Sequence, residues 1–153
     1  MKKKLQAGFT LVELLIVLAI IGALMAIGIP IYTNVLQNAK ATTVATNLRM
    51  LVDQIRLDVT LSGTATHSKG TTGQVGDITN AELLEVEKYV QMDATENYLA
   101  GILDNADSYT IVSAYKGSDV PLDKVENKLS GCEKKGTTSD SVYCEITVPK
   151  TSF

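Results

Sequence analysis

The sequence predicts an α+β fold in which one long N-terminal helix packs on a small antiparallel sheet. Three features of the 153-residue chain indicate it. A helical apolar pattern occupies about the first 60 residues, a stretch rich in glycine, threonine and serine follows it, and the alternating pattern of strands is clearest in the last third of the chain. The order of helix, loop and strands is typical of the α+β class.

The N-terminal part of the predicted helix is apolar enough to cross a membrane. Residues 14–31 (LLIVLAIIGALMAIGIPI) contain no polar side chain, and a helix of this length spans roughly 27 Å at 1.5 Å per residue. Lys2, Lys3 and Lys4 precede it, so the positive-inside rule leaves the N-terminus in the cytoplasm and sends the rest of the chain outward. We therefore expect a single-pass precursor in the inner or cytoplasmic membrane.

An ordinary cleaved secretory signal peptide is an alternative, with a small-residue cleavage site at residues 23–26. Two features count against it: the apolar run continues past that point, and Glu13 stands at its front. A carboxylate inside a membrane helix costs about 2.5–3.5 kcal/mol on insertion scales and rarely occurs without a partner. Residues 5–39 contain no Lys or Arg. The nearest positive charge within the chain would be a new α-amino group, formed by cleavage just before Phe9.

The segment GFTLVEL at residues 8–14, which follows a short lysine-rich leader, resembles the class III signal sequence of type IV prepilins and pseudopilins. The resemblance implies that a prepilin peptidase cleaves between Gly8 and Phe9 on the cytoplasmic face and then N-methylates Phe9. It also implies that Glu13 pairs with the N-terminal amine of a neighbouring subunit during assembly. By the same resemblance the partners are identical subunits, the peptidase and an inner-membrane assembly platform.

Three residues in the apolar segment are potential helix breakers: Gly22, Gly28 and Pro30. We expect the helix to bend or open locally near Gly28 and Pro30. Many pilins have a proline at the position that Pro30 occupies, and in that family such residues accompany local melting of the helix inside the filament.

The helical pattern continues beyond the membrane segment as a single apolar stripe, which predicts a helix from about Thr10 to about Thr60, ended by Ser62 and Gly63. The stripe should lie on the sheet while the opposite face meets solvent or a neighbouring subunit. Its members are Val44, Leu48, Leu51, Val52, Ile55 and Val59.

The remaining elements are assigned from local patterns. Residues 62–78 lack periodicity and predict a surface loop. Thr79 and Glu82 have the spacing of a capping box, which predicts a short helix carrying Leu83, Val86 and Val90 on one face. Residues 98–103 are compatible with either a strand or a helical turn.

The clearest strands are residues 109–115 and 142–148, and a brief helix closed by Gly131 is expected at residues 121–129 between them. In the second strand Val142, Cys144, Ile146 and Val148 alternate with more polar residues, Tyr143 among them, so one face should be buried and the other exposed. We expect three or four strands in total.

Cys132 and Cys144 predict a disulfide if the head is exported, because the chain has a single histidine and lacks the four ligands of a zinc site. A pair of free buried thiols is the alternative. Closing a loop of this size would stabilise the fold by roughly 3 kcal/mol. In pilins the segment between the C-terminal cysteines is exposed and variable, so residues 133–136 are either an adhesive epitope or a solvated turn.

The sequence carries no signature of catalysis. It contains no nucleophile motif, no phosphate-binding glycine loop and no metal-ligand pattern, so we expect a protein that is not an enzyme and that needs no cofactor or metal. The net charge is −3, and about −6 without the three leader lysines. An acidic body argues against a specific nucleic-acid partner.

The resulting hypothesis is a structural subunit of a type IV pilus, exported to the cell surface and serving adhesion, twitching motility or DNA uptake. It divides the chain into a leader (residues 1–8), a transmembrane and polymerisation half-helix (9–35) and a globular head (36–153). One alternative is a pseudopilin of a type II secretion or competence system, which shares the same N-terminus. Another is a membrane-anchored binding module that never polymerises.

Overall fold

The computed structural model describes residues 9–92 and 94–150 and confirms the α+β class. Within these residues one long helix, α1 (Leu11–Ser62), is followed by a six-stranded antiparallel sheet. The strands are β1 (Ser68–Val75), β2 (Ile78–Leu84), β3 (Tyr98–Asp104), β4 (Ser108–Tyr115), β5 (Lys134–Thr137) and β6 (Val142–Pro149). Two short helices, α2 (Val86–Tyr89) and α3 (Leu122–Glu126), and a 3-10 turn at Thr95–Asn97 lie in the connections. The chain divides into two compact units between Leu36 and Gln37.

In the first unit α1 continues without interruption through Gly22, Gly28 and Pro30. The local opening expected near Gly28 and Pro30 is therefore not present in the single chain. Proline removes only its own N–H from the helical ladder, and the neighbouring turns keep their helical form. The Thr33 hydroxyl adds a hydrogen bond to the Pro30 carbonyl oxygen at 3.0 Å.

In the second unit the predicted stripe of α1 is buried, as expected. All six of its members are at most 6% exposed, and Ala41 and Ala45 extend the same buried face. They share one core with apolar side chains of β3, β4 and β6, including Ile102, Ile111 and Ile146. Within this core Ser113 of β4 donates its hydroxyl to the backbone oxygen of Leu48 at 2.9 Å, so the fully buried hydroxyl is satisfied.

The strand order is β1-β2-β3-β4-β6-β5, with every neighbouring pair antiparallel. Residues 109–115 and 142–148 are strands as predicted, within β4 and β6, and residues 98–103 belong to β3. The expected helix at residues 121–129 is present in shorter form as α3. The sheet is larger than the three or four strands expected because β1, β2 and β5 add to it.

The prediction of a loop over residues 62–78 is wrong from Ser68 onward. Residues Ser68–Val75 form β1, which pairs with β2 through a two-residue turn at Gly76 and Asp77. Gly76 has a φ of +61°, a conformation that glycine adopts easily. Most β1 side chains are exposed or only half-buried, and Val75 alone in this strand is fully buried. The apolar alternation that would have revealed the strand is therefore missing.

The prediction of a capped helix after Thr79 is also wrong. Residues Ile78–Leu84 form β2, which hydrogen-bonds to β1 on one side and to β3 on the other. Asn80 has a φ of +58°, outside the helical region. The helix that does form, α2, is only four residues long and begins at Val86. The backbone hydrogen bonds of β2 to β1 and β3 outweigh the local capping pattern, because local propensity determines secondary structure only weakly.

A second, smaller apolar cluster covers the sheet face that points away from α1. Val75, Ala81, Val112, Ala114 and Tyr143 form it. Tyr143 is only 6% exposed, contrary to the expectation that its face of β6 would be exposed. Gly101 lies against this cluster, and a Cβ there would be 3.0 Å from side-chain atoms of both Ala81 and Val75.

Cys132 and Cys144 form a disulfide, which joins the start of the β5 region to the buried face of β6.

Residues 134–137 are not a solvated turn, since they form β5 and pair with β6. Lys134 forms ion pairs with Asp77 and Glu145, so part of the predicted adhesive tip is engaged in holding the sheet together.

Asp58 connects the end of α1 to the chain that follows it. Its carboxylate accepts hydrogen bonds from the Thr66 backbone N–H (2.8 Å), the Thr66 hydroxyl (2.9 Å) and the Tyr89 hydroxyl (2.8 Å). Burial raises the pKa of Asp58, but the hydrogen bonds from Thr66 and Tyr89 outweigh it and hold the pKa below the ordinary value of 3.8. Asp58 thus ties α1, the linker before β1 and α2 together in its ionised form.

The lowered pKa of Asp58 predicts a loss of stability in acid. Because the folded-state pKa lies below the unfolded value, the stabilisation is complete above pH 3.8 and disappears as the pH falls through the folded-state pKa. We expect Asp58→Asn to lower the free energy of unfolding by about 1 kcal/mol at neutral pH, a modest figure because the site is partly exposed. Thermal unfolding of the full chain in detergent, followed from about pH 6 to about pH 2, measures both effects.

Asp53→Asn is the matched control, because Asp53 is exposed five residues earlier on the same helix. It should leave the unfolding temperature at neutral pH unchanged. An Asp58→Asn variant as stable as the wild type at neutral pH would contradict the role assigned to this carboxylate.

The disulfide predicts a separate stability effect. Removing it with Cys132→Ser and Cys144→Ala should lower the free energy of unfolding by about 3 kcal/mol, because the open loop gains conformational freedom in the unfolded chain. Urea titration of the full chain in detergent, monitored by tyrosine fluorescence, gives the value. Reduced wild-type protein should show a similar loss, and equal midpoints for the oxidised and reduced protein would contradict the prediction.

Candidate assembly site

The first unit presents a helix that is apolar on every side. Each large apolar side chain in residues 9–36 is exposed, from 43% for Ile21 to 87% for Phe9. By length and composition α1 is able to cross a membrane. Apolar surface of this extent is not left in water by a stable protein and requires a cover of lipid or of other chains.

Glu13 lies at the start of this helix and forms a capping box with Thr10. The Thr10 backbone N–H and hydroxyl both donate to Glu13 Oε2, at 2.9 and 2.8 Å, and the Glu13 backbone N–H donates to the Thr10 hydroxyl oxygen at 3.2 Å. These bonds satisfy donors that the first helical turn leaves without partners. This role of Glu13 was not predicted from the sequence, although a threonine three residues before a glutamate at the start of an apolar run is the usual signature of a capping box.

The capping box uses only one oxygen of the Glu13 carboxylate. Both Thr10 donors bond to Oε2, and within the described residues no hydrogen bond to Oε1 is observed. Residues 5–39 supply no Lys or Arg, so the negative charge has no cationic side chain nearby in its own sequence. The carboxylate is thus held in a fixed position while one oxygen stays available to an outside donor.

The other predicted site residues fall in different places. Phe9 begins the described chain and is highly exposed, whereas Gly8 and the rest of the leader lie outside the described residues. At Gly22 and Gly28 an added Cβ would meet no atom within 4 Å, so nothing within the single chain requires glycine there. Cys132 and Cys144 belong to the second unit and play no part in the chemistry of Glu13.

The described part of the head was compared with what a metal site or a general base requires. Among the described residues no group of three or more His, Cys, Asp or Glu side chains is placed to hold a metal ion. A cleft of about 550 Å³ is lined by Lys40, Asn47, Tyr98, Tyr115 and Asp119. Burial, followed by the hydrogen bond to Asp119, raises the pKa of Tyr115, and burial raises that of Tyr98. Both phenols are therefore neutral near pH 7 and unsuited to act as general bases.

Comparison with known proteins identifies relatives of the chain. The family model described as the prokaryotic N-terminal methylation motif matches residues 3–29. Type IV major fimbrial protein FimA of Dichelobacter nodosus is 32% identical over 132 residues, which cover 84% of this chain and 78% of the relative. A fimbrial protein of Pseudomonas aeruginosa is 29% identical over an alignment that covers 96% of this chain and 99% of the relative.

A shorter match has a different name. Prepilin peptidase-dependent protein D of Escherichia coli strain K12 is 57% identical over 37 residues, about a quarter of each chain. No solved structure matches the chain significantly.

Three observations identify the family of this chain. They are the methylation motif, the long helix followed by an antiparallel sheet, and a fimbrial relative aligned over most of both chains. The chain belongs to the type IV pilin family.

Proposed function

We propose that this protein is a structural subunit of a type IV pilus that polymerises through residues 9–35 into an extracellular filament. The observation that carries the proposal is the apolar surface of residues 9–36, which is exposed on all sides and has Glu13 fixed at its start. Before assembly the inner membrane covers this surface, and in the filament identical helices replace the lipid.

Burial of this surface against neighbouring helices holds subunits together once they have left the lipid. Fully burying one large apolar side chain contributes about 1.5–3 kcal/mol relative to leaving it in water, and residues 9–36 carry such side chains at most positions. A single ion pair contributes less than this sum, and its desolvation offsets much of its attraction. Apolar burial therefore drives cohesion in the filament, and Glu13 acts mainly on the register between subunits.

Glu13 selects the register because a buried carboxylate without a partner is strongly unfavourable. In the proposed mechanism a prepilin peptidase cleaves between Gly8 and Phe9 and N-methylates Phe9. The new amine of one subunit then pairs with Glu13 Oε1 of its neighbour, while Thr10 continues to hold Oε2. A subunit displaced by one turn along the bundle would leave both charges unpaired.

The glycines and the proline of the first unit have a role only in the assembled state. Since Gly22 and Gly28 have open space where a side chain would be, they permit close approach of a neighbouring helix. Pro30 weakens the ladder locally, and together with Gly28 it marks the place where we propose that α1 opens in the filament.

The head lies outside the cell in this proposal, consistent with the Cys132–Cys144 disulfide, since such bonds persist in oxidising compartments. Assembly requires an inner-membrane platform as a partner, and no specific nucleic acid. The proposed filament would serve adhesion, twitching motility or DNA uptake, with residues 133–136 as a candidate epitope for adhesion.

Alignment over nearly the full length of a fimbrial protein favours a pilin over a pseudopilin.

Glu13 provides the first test. Glu13→Ala removes the capping box and the charge, whereas Glu13→Gln keeps an oxygen that can accept the Thr10 bonds and removes the charge alone. We expect both variants to insert and to be cleaved normally but to give no filaments in material sheared from cells, measured by immunoblot against total subunit.

The two variants also separate the possible roles of Glu13. Wild-type filament yield from Glu13→Gln would mean that helix capping suffices and that charge pairing is dispensable. Wild-type yield from Glu13→Ala would remove Glu13 from the assembly mechanism altogether.

Processing gives an independent prediction. Subunits sheared from the cell surface should begin at N-methylated Phe9, and their intact mass should be two hydrogens lighter than the reduced chain because of the disulfide. N-terminal sequencing and intact mass spectrometry measure both properties. A chain that retains Met1, or that is found only in the membrane fraction, would indicate a simple anchor in place of a filament subunit.

A further inference from the structure

A cleft in the second unit lies where α1 meets the adjoining ends of β3 and β4. Its volume is about 550 Å³, which is within the range of sites that bind small molecules. All of its lining residues belong to the second unit, so it is separate from Glu13 and from the apolar segment. Polar side chains from several elements line it beside the apolar Val44, Met92 and Val120.

Two buried tyrosines fix the positions of polar groups in the cleft. Tyr98 and Tyr115 are opposite each other in the pairing of β3 with β4, and their ring centroids lie 5.1 Å apart. The two residues are 6 and 3% exposed, so packing holds both rings in place. Asn47 donates to the Tyr98 hydroxyl at 3.0 Å, and the Tyr115 hydroxyl donates to Asp119. A ligand would therefore meet groups that are already ordered.

Several of these groups keep hydrogen-bonding capacity that the head does not use. Burial raises the pKa of Tyr98, so its hydroxyl keeps its proton, and within the described residues that proton has no acceptor. Asn47 makes one side-chain hydrogen bond, although an amide can donate twice and also accept. The side-chain amides of Gln91 and Asn97 also line the cleft and form no hydrogen bond with another described residue. Donors and acceptors are thus both left for a ligand.

The charges that line the cleft cancel. Lys40 Nζ lies 3.7 Å from the Asp119 carboxylate. The hydrogen bond from Tyr115 is the main cause that holds the pKa of Asp119 below the ordinary value of 3.8, so this carboxylate is ionised at neutral pH. Lys40 and Asp119 are the charged residues of the lining. An ionic ligand would meet one like and one opposite charge and would gain little net attraction.

We propose that this cleft binds one hexose unit of a neutral sugar. Each hydroxyl of a hexose both donates and accepts, which matches the amides, the phenol and the carboxylate of the lining. Its C–H groups match the apolar side chains beside them, whereas a wholly apolar ligand would leave the polar groups unpaired. The inference goes beyond the proposed function and does not depend on it, because the cleft lies within a single head.

Sugar titration of the full-length chain, isotope-labelled for nitrogen NMR and held in a detergent that carries no sugar, tests the proposal. Glucose, galactose, mannose and N-acetylglucosamine are each added to about 50 mM, roughly fifty times the dissociation constant of about 1 mM expected for a small ligand held by a few hydrogen bonds. At least one of them should shift the side-chain amide signals of Asn47, Gln91 and Asn97. Unchanged signals with all of these sugars would overturn the proposal.

Substitutions separate binding in the cleft from a general effect of the sugar. Tyr98→Phe removes the hydroxyl and keeps the ring, and Asn47→Ala removes the amide. Each should weaken binding by about tenfold, which corresponds to the loss of one hydrogen bond. Tyr109→Phe is the matched control, because the Tyr109 hydroxyl bonds to the Gly63 backbone oxygen outside the cleft. Equal affinities in the wild type and both cleft variants would contradict the assignment to this cleft.

A free sugar and the end of a glycan chain share this chemistry, and a further titration identifies the source. A trisaccharide that ends in the bound hexose should bind more tightly than the hexose alone where the natural ligand is a glycan, and more weakly where it is the free sugar. Either order supports a hexose site. Absence of filaments from the wild-type chain would overturn the proposed function and leave this inference intact, because binding is measured on dissociated subunits.

Discussion

The apolar side chains of residues 9–36 have no cover within the chain that carries them, and most other features of the molecule follow from that fact. A helix that is apolar around its whole circumference is stable only inside lipid or inside a bundle of helices. The same surface therefore suits a membrane precursor and a polymer subunit, and transfer between the two states exchanges one apolar surrounding for another. The net free energy of assembly is small compared with the burial that each state provides.

Apolar burial alone does not specify how neighbouring helices align, because leucine packs against leucine in many registers. Polar groups in an apolar surrounding supply that specificity, since every wrong alignment leaves one of them without a partner. In the proposed filament Glu13 would meet this requirement, because Thr10 holds one oxygen of its carboxylate and the other oxygen has no hydrogen bond among the described residues. A freely rotating carboxylate would have to lose conformational entropy on pairing, whereas this one has already lost it on folding.

The elements predicted correctly from the sequence are those whose buried apolar residues recur at a regular spacing along the chain. The stripe on α1 and strands β4 and β6 were found because their buried residues recur at helical or strand spacing. Strand β1 was missed because its partners are backbone groups and its side chains are polar, although Gly76 and Asp77 are a common two-residue hairpin turn. The capping-box spacing at Thr79 predicted a helix where β2 forms. The prediction failed because the pairing of β2 with two neighbouring strands is not visible in the local sequence. The Thr10–Glu13 capping box, in contrast, follows from the spacing of a threonine three residues before a glutamate, so the sequence contains its signal.

The composition of α1 changes where its surroundings change. Up to Leu36 apolar side chains occupy all sides of the helix, and from Ala41 onward the buried positions narrow to one stripe that faces the sheet. A helix with a single stripe should expose charges on the opposite face, and that face of the head carries the exposed Asp53 beside threonines bonded to their own helix and three exposed apolar residues. The change along α1 therefore coincides with the boundary between the two units: apolar side chains occupy all sides up to Leu36, and buried side chains occupy one side from Ala41 onward.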